Sequence, residues 1–196
     1  MSLPLTGSLA AAGAIVPSHM VYPALFSPEE CRGVTALMPE DAGKDAGLVD
    51  GKASETIRRT RIHWIEETPE TAWIYERLAR VIAQANREAF HFNLTGFDEE
   101  AQIGCYQNDG FYDWHIDRGG RGAGRTRKLT VSVQMSDPDA YDGGALELNP
   151  DGRIVEAPRT QGTAIVFPAY ALHRVLPVTR GVRHSLVIWT HGPDFV

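Results

Sequence analysis

The sequence has few of the features that mark secreted or membrane proteins. Its 196 residues include two cysteines, Cys31 and Cys105, which lie far apart and form no Cys-x-x-Cys motif. We therefore expect two buried thiols rather than a disulfide or a zinc site, and this usage favours the cytoplasm. No apolar run approaches the roughly 20 residues that cross a bilayer, so no membrane partner is expected. Residues 1–20 lack the basic start of a secretory signal and are interpreted as a flexible arm.

The sequence also has fewer basic than acidic residues, 19 against 25, which gives a formal net charge of −6. A general nucleic-acid-binding surface is therefore not expected. Residues 117–128, DRGGRGAGRTRK, are a local exception. The GGRGAGRT part resembles a phosphate-binding P-loop, but the strand-like KLTVSVQM follows it where a P-loop needs a helix. We interpret it as a glycine-rich lid whose Arg121 and Arg125 would bind a carboxylate-bearing substrate, with a solvated turn as the alternative.

The first half of the chain has helical patterns. Ser27, Pro28 and Glu30 form a capping-box signal, which predicts a helix that ends near Pro39. A polar loop to about residue 53 and a strand within residues 56–67 are expected next. A second helix over residues 69–90 is predicted from one apolar stripe, formed by Ile74, Leu78, Val81, Ile82 and Ala85. Such a helix usually covers the outside of a sheet.

From residue 101 the pattern changes to short strands separated by turn signals. The predicted strands cover residues 101–107, 111–117, 128–135, 144–149, 153–156, 163–167, 172–177 and 182–190. This arrangement is typical of a sandwich or jelly roll. With no repeat or linker visible, residues 21–196 are expected to form one domain.

The stretch FYDWHID, residues 111–117, ends in a histidine and an aspartate two positions apart. In a strand, side chains at i and i+2 share a face, so His115 and Asp117 should converge, together with Asp113. Trp114 and Ile116 would then point into packing on the other face, with Tyr112 at the rim.

A third metal ligand must come from another strand, and His173 is the best candidate among the histidines. His63 and His91 precede the strand-rich part, and His191 lies in the tail. His184 would point away from the face of its neighbour Arg183. Two histidines and one carboxylate form the facial triad of non-haem Fe(II) oxygenases. The same donors could hold zinc, and ordinary strand residues are the remaining alternative.

Ten residues after His173, the segment GVRHSLVIW places Arg183, Ser185, Val187 and Trp189 on one strand face. Leu186 and Ile188 indicate that the opposite face is covered too. An arginine on a covered face needs an anionic partner, and its planar fork with a hydroxyl beside it suits a carboxylate.

Over residues 101–192 these motifs resemble the Fe(II)/2-oxoglutarate dioxygenases, in particular the prolyl-4-hydroxylase-like branch with its bacterial PKHD-type hydroxylases. The segments that carry the resemblance are YQNDGFYDWHID, LTVSVQMSDPDAYDGGALEL and GTAIVFPAYALHRVLPVTRGVRHSLVIW. It implies an α+β, mainly β fold, a cupin-like double-stranded β-helix with N-terminal support helices. The His-x-Asp and distal-histidine strands would share one sheet, and the arginine strand would face them from the other.

The resemblance also assigns roles to residues. His115, Asp117 and His173 would bind iron, while Arg183, Ser185, Tyr106 and Gln134 would bind 2-oxoglutarate. Gln134 departs from the tyrosine that some prolyl hydroxylases carry there, and Ala145 replaces the glutamate of the usual Gly-Gly-Glu-Leu turn. Tyr112 and Trp189 match the substrate mouth, where Arg121 is added as a substrate residue.

The implied reaction hydroxylates an unactivated C–H bond with O₂ and 2-oxoglutarate and releases succinate and CO₂. Ascorbate is considered as a reductant. A peptidyl residue such as proline is the expected substrate, with a free amino acid or small metabolite as the alternative. A related nucleic-acid demethylase would carry a second arginine where Trp189 stands. A non-catalytic barrel that binds zinc or a carbohydrate is the rival from another class.

Overall fold

The computed structural model describes residues 17–39, 48–49, 52–53, 57–120 and 122–195. Within these ranges the strands are, in chain order, β1 (Met20–Tyr22), β2 (Leu48–Val49), β3 (Lys52–Ala53), β4 (Arg58–Arg59), β5 (Arg61–Ile65), β6 (Ala101–Tyr106), β7 (Gly110–His115), β8 (Arg127–Gln134), β9 (Tyr141–Gly143), β10 (Leu146–Asn149), β11 (Val155–Glu156), β12 (Ala164–Pro168), β13 (Leu172–Gly181) and β14 (Arg183–His191).

Two α-helices precede the main strands. Helix α1 (Pro28–Thr35) begins with the predicted capping box: the Glu30 amide donates to the Ser27 hydroxyl at 3.2 Å, and the Ser27 amide donates to the Glu30 carboxylate at 2.8 Å. Helix α2 (Ala72–Ala85) continues into one π-helical turn, Asn86–Phe90. In the described part of the chain, no helix is long and apolar enough to cross a membrane.

Two antiparallel sheets form the body of the protein. The larger sheet has the strand order β1-β12-β8-β14-β6-β5. The smaller sheet has the order β11-β10-β13-β7-β4, with β9 also paired to β13. The β7 and β13 strands thus lie in one sheet and β14 in the other, as the resemblance implies. The predicted fold, a mainly β double-stranded β-helix with support helices, is confirmed.

The α2 helix covers the outer face of the larger sheet. Its apolar stripe is buried and packs with alternate strand residues such as Val131, Val133, Leu186 and Ile188. The intervening residues of β8 and β14 face inward, toward the second sheet. A second apolar cluster, which includes Leu146, Leu148, Ile165, Phe167 and Val178, lies between the two sheets. The alternation of side chains thus gives the larger sheet one face for the helices and one for the site.

The structure differs from the sequence-based expectations at several boundaries. The α1 helix ends at Thr35, before Pro39. The expected strand over residues 56–67 is two strands, because the chain leaves the smaller sheet after β4 and joins the larger one at β5. The expected loop to residue 53 includes β2 and β3, which pair with each other around an Asp-Gly sequence typical of a hairpin turn. The expected arm lies mostly outside the described residues, and its last residue, Met20, begins β1.

Gly144, in the turn between β9 and β10, allows close packing between that turn and β14. Its φ is +62°, and an added Cβ would lie 2.8 Å from Val178 Cγ2 and 2.9 Å from Arg183 Cδ. We expect Gly144→Ala to cost about 1 kcal/mol for its backbone conformation and a further 1–3 kcal/mol or so for overpacking. Thermal or denaturant unfolding measures the total.

The matched control is Gly152→Ala, because Gly152 also has a positive φ, +88°, but an added Cβ would contact nothing within 4 Å. The difference between the two variants isolates the overpacking. Equal losses of stability would show that the Arg183 contact is not tight.

Candidate active site

A cavity of about 840 Å³ opens between the two sheets. Inward-facing residues of β6, β8 and β14 line one side of it, and residues of β7 and β13 line the other. The sheet packing therefore places polar side chains from distant parts of the sequence around one space.

The His115, Asp117 and His173 side chains meet on the smaller-sheet side of this cavity. Their candidate ligand atoms all lie within 4.8 Å of one another. One carboxylate oxygen of Asp117 lies 3.6 Å from His115 Nε2, and the other lies 3.5 Å from His173 Nε2. The three side chains are between 7% and 12% exposed. Two imidazoles and a carboxylate could hold a divalent metal in a facial arrangement.

Both histidines are held through their other ring nitrogen. His115 Nδ1 lies 2.7 Å from the Asp113 carbonyl oxygen, and His173 Nδ1 lies 2.9 Å from the Ala171 carbonyl oxygen. A carbonyl accepts a hydrogen bond, so each Nδ1 carries the proton and each Nε2 keeps its lone pair. Such contacts orient histidines that ligate metals.

The electrostatics also favour the metal-binding protonation states. Burial and the adjacent His173 lower the pKa of His115 to about 3, despite the nearby Asp117 carboxylate. Burial opposes ionisation of Asp117, but the two histidines and a hydrogen bond from Thr130 outweigh it and lower its pKa. The Thr130 hydroxyl donates to Asp117 Oδ2 at 2.7 Å. A neutral imidazole beside an ionised carboxylate is the form that ligates a metal.

The expected alternation of FYDWHID breaks at a β-bulge. His115 pairs with His173 and Tyr112 with Val175, so β7 has one more residue than β13 in this interval. The bulge brings Tyr112 onto the face of His115, where the two rings stack with centroids 3.4 Å apart.

The predicted orientations around the bulge are corrected accordingly. Asp113 is exposed and does not line the cavity, which is opposite to the expectation. Ile116 is 50% exposed and borders the cavity, because β7 ends at His115 and leaves it outside the regular strand. Trp114 does lie off the cavity, under the Arg174 guanidinium.

Arg183 lies on the opposite wall, on the larger sheet. It is 1% exposed, and Arg183 Nη2 donates to Gln134 Oε1 at 2.9 Å. Its guanidinium carbon lies 5.3 Å from the centroid of the Tyr106 ring. Arg183 Nε and Nη1 are buried and have no hydrogen-bond partner among the described residues. A buried guanidinium with free donors is suited to an anion that enters the cavity.

The residues beside Arg183 divide into two groups. Ser185 and Tyr106 line the cavity, and Gly104 makes room for both: an added Cβ there would lie 3.0 Å from Ser185 Oγ and 3.2 Å from Tyr106 Cε2. Gln134, expected to contact the cosubstrate, does not line the cavity. Its amide instead bridges Arg183 and the Pro158 carbonyl. The glutamine side chain is shorter than the tyrosine of some prolyl hydroxylases, and it ends behind the guanidinium.

Sequence reasoning missed several residues at the mouth. Arg127 forms a two-pronged ion pair with Glu99, and its guanidinium carbon lies 3.8 Å from the centroid of the Trp189 ring. Arg58 also lines the cavity. The sequence predicts a strand over residues 56–67, which contains Arg58. The alternation of residues within that strand could not show that Arg58 would pair with Tyr112 of β7.

The basic segment 117–128 does not place its arginines around the cavity in the way that the sequence predicts. Arg125 does not line the cavity and pairs with Asp194, so it is not placed to bind substrate there. Arg118 does line the cavity, and Arg118 Nη2 lies 3.6 Å from Asp194 Oδ1. Arg121 lies outside the described residues. Residues Gly122–Thr126 form a 3₁₀-helix that leads into β8, which agrees with the rejection of a P-loop.

Comparisons with known proteins agree with this geometry. The profile of the 2OG-Fe(II) oxygenase superfamily matches residues 101–191. PKHD-type hydroxylase PiuC of Pseudomonas aeruginosa is 30% identical over 184 residues, covering 87% of this chain and 76% of that protein.

Two solved structures share the fold. A Pseudomonas putida prolyl-4-hydroxylase superposes with a TM-score of 0.70 at 20% identity, covering 90% of this chain and 94% of the other. A Trichoplax adhaerens prolyl hydroxylase in complex with a hypoxia inducible factor oxygen degradation domain peptide fragment has a TM-score of 0.75 at 18% identity, covering 89% and 83%. The chain thus belongs to the 2OG-Fe(II) oxygenase superfamily and is a 2-oxoglutarate-dependent dioxygenase related to the PKHD-type hydroxylases.

Proposed function

We propose that this enzyme hydroxylates an unactivated C–H bond of a peptidyl residue such as proline, with release of succinate and CO₂. The observation that carries the proposal is the pairing of two half-sites across one cavity. A compact His-Asp-His cluster lies on one sheet, and a buried arginine with free donors lies on the other. This arrangement suits a small diacid whose two ends are held by different sheets.

In this proposal His115, Asp117 and His173 hold Fe(II), and their donor set fits it, since two Nε2 lone pairs and one carboxylate converge. The iron, when bound, supplies activation of O₂. Arg183 and Ser185 bind the distal carboxylate of 2-oxoglutarate, with Tyr106 beneath. Gln134 orients Arg183, and the cavity walls exclude water from the reacting atoms.

A peptidyl substrate is supported by the open cavity and by the structural neighbour that was solved with a peptide fragment. Tyr112 and Trp189 line the cavity where such a residue would enter. Ascorbate as a reductant and the cytoplasm as the location stay predictions, the latter in keeping with the free thiols of Cys31 and Cys105.

The test is anaerobic addition of Fe(II) and 2-oxoglutarate, followed by exposure to O₂. A weak visible charge-transfer absorption before O₂, and succinate after it, are expected. Peptides, free amino acids and cell extract are then screened for stimulated succinate release, and hydroxylated products are identified by mass. Neither absorption nor succinate would instead favour the non-catalytic zinc- or carbohydrate-binding barrel. Stimulation by free amino acids alone would contradict the peptidyl assignment.

Thr130 is expected to strengthen metal binding through its hydrogen bond to Asp117. Partners of this kind typically contribute about 10–100-fold to metal affinity. We therefore expect Thr130→Val to weaken Fe(II) affinity by about tenfold or more, as measured by competition with a chelator.

Thr190→Val is the matched control, because the Thr190 hydroxyl is also buried but has no partner within the described structure. It should leave the affinity for Fe(II) unchanged. If both variants bind Fe(II) equally well, the Thr130 hydroxyl does not support the metal site.

A further inference from the structure

The charged residues of the described cavity lining do not balance once the proposed ligands are assigned. Asp117 would be neutralised by iron and Arg183 by 2-oxoglutarate. Arg127 is neutralised by Glu99, while Arg118 shares the Asp194 carboxylate with Arg125. Arg58 lines the cavity and forms no ion pair with any described residue, in a protein whose net charge is −6. A cation kept in a cavity of an acidic protein indicates an anionic ligand.

Arg58 is held in place by both sheets. It lies on β4 directly opposite Tyr112 of β7, and its guanidinium carbon is 4.6 Å from the centroid of that ring. Arg58 Nη2 donates to Gln102 Oε1, on the larger sheet, at 3.1 Å. The Tyr112 ring in turn stacks on His115. Arg58 is thus separated from a proposed iron ligand by a single aromatic ring.

The guanidinium of Arg58 also has a hydrogen-bond donor without a partner. Its Nε is buried and has no hydrogen-bond partner in the part of the chain that the structure describes. A buried donor without a partner is costly unless a ligand completes it. Arg183 shows the same combination of a glutamine contact and a free Nε, at the place proposed for the cosubstrate carboxylate.

We propose that Arg58 binds a carboxylate of the primary substrate and thereby selects substrates with an acidic group close to the hydroxylated carbon. This inference rests on the proposed function and narrows its substrate class. The carboxylate could belong to a free acid or to an acidic residue of a peptide, since the guanidinium fork recognises both in the same way. The sequence-based expectation of a carboxylate-bearing substrate is kept, and Arg58 of β4 is added as a cation that binds it. The expected role of Arg121, outside the described residues, stays a prediction.

The test uses matched pairs of probes that differ only in charge. For free acids, the probes are N-acetyl amino acids and their primary amides. For peptides, they are N-acetylated, C-terminally amidated tripeptides Ala-Xaa-Glu and Ala-Xaa-Gln, with Xaa varied. Binding to the enzyme with Fe(II) and 2-oxoglutarate is measured without O₂ by the intrinsic tryptophan fluorescence, because two of the four tryptophans, Trp64 and Trp189, line the cavity. Succinate release is measured in air.

The wild-type enzyme is expected to prefer the carboxylate member of at least one series by about tenfold, the value of a charge-assisted contact of about 1.4 kcal/mol. The series in which the preference appears distinguishes a free acid from an acidic peptide. Arg58→Gln should abolish the preference, and Arg58→Lys should keep part of it. Arg125→Gln, outside the cavity, should keep all of it. Because the preference is a ratio within one variant, a general loss of stability or activity cancels.

No preference in the wild-type enzyme, or an unchanged preference in Arg58→Gln, would overturn the role of Arg58. Failure of the proposed function gives a different result, since the wild-type enzyme would then release no succinate with any probe. The ratio of the affinities for the two probes of a pair is measured by fluorescence without turnover. It therefore tests the role of Arg58 whether or not succinate is released.

Discussion

His173→Ala is expected to remove iron binding and turnover together. The side chain supplies one of three donors within 4.8 Å of one another, and its Nδ1 is fixed on the Ala171 carbonyl. Losing a ligand should exceed the 10–100-fold or so that a supporting residue contributes to metal affinity. The Fe(II) affinity should therefore fall by more than about 100-fold, and succinate formation should fall in parallel. Metal content after gel filtration and succinate release measure the two effects.

His63→Ala is the matched control, because His63 lies on β5 and does not line the cavity. It removes one histidine that could bind metal nonspecifically and should leave both readouts unchanged. Stoichiometric iron, or activity near that of the wild-type enzyme, in His173→Ala would refute the ligand assignment.

Replacement of Arg183 by methionine should raise the Michaelis constant for 2-oxoglutarate by about 100-fold or more. Nε and Nη1 are buried donors without a partner among the described residues, and two hydrogen bonds to a charged group contribute about 1.5–3 kcal/mol each. Steady-state kinetics with 2-oxoglutarate as the varied substrate measure the change.

The same variant should not lose stability in the absence of 2-oxoglutarate. In the wild-type protein the guanidinium is 1% exposed, and Gln134 and the Tyr106 ring only partly replace its hydration. A methionine side chain reaches only as far as the position of Nε, and it removes that buried charge. We expect the unfolding temperature of the unliganded variant to equal or exceed that of the wild type, and 2-oxoglutarate to stabilise only the wild type.

Arg159→Gln is the matched control, since Arg159 packs on Tyr141 outside the cavity. Its Michaelis constant for 2-oxoglutarate should equal that of the wild type. If Arg183→Met unfolds more easily and still binds 2-oxoglutarate with normal affinity, Arg183 is a structural residue.

The sequence predicts the parts of the site that depend on strand alternation. Arg183, Ser185, Val187 and Trp189 all line the cavity as expected, because β14 is regular over these residues. His115, Asp117 and His173 converge as well, although Asp117 lies just beyond the end of β7.

The missed features are those that depend on partners distant in sequence. The bulge that turns Tyr112 toward His115 is a property of the pairing with β13, and FYDWHID by itself shows only regular alternation. Gln134 could be placed near Arg183, but only the structure shows it behind the guanidinium. Arg58 carries no signal in its own segment, since its site role arises from Tyr112 and Gln102, 54 and 44 residues away.

The separation of the two sheets has a consequence for cosubstrate choice. The proposed iron ligands lie on strands of the smaller sheet or, for Asp117, just after one, and Arg183 lies on the larger sheet. The distance between the two anchoring points is therefore set by the side chains packed between the sheets. Leu146 and Phe167 belong to that packing and also line the cavity. Chain-length selectivity among 2-oxo diacids is therefore a property of inter-sheet packing. Smaller residues at these two positions would shift the preference between 2-oxoglutarate and its shorter or longer homologues while every polar contact residue stays the same.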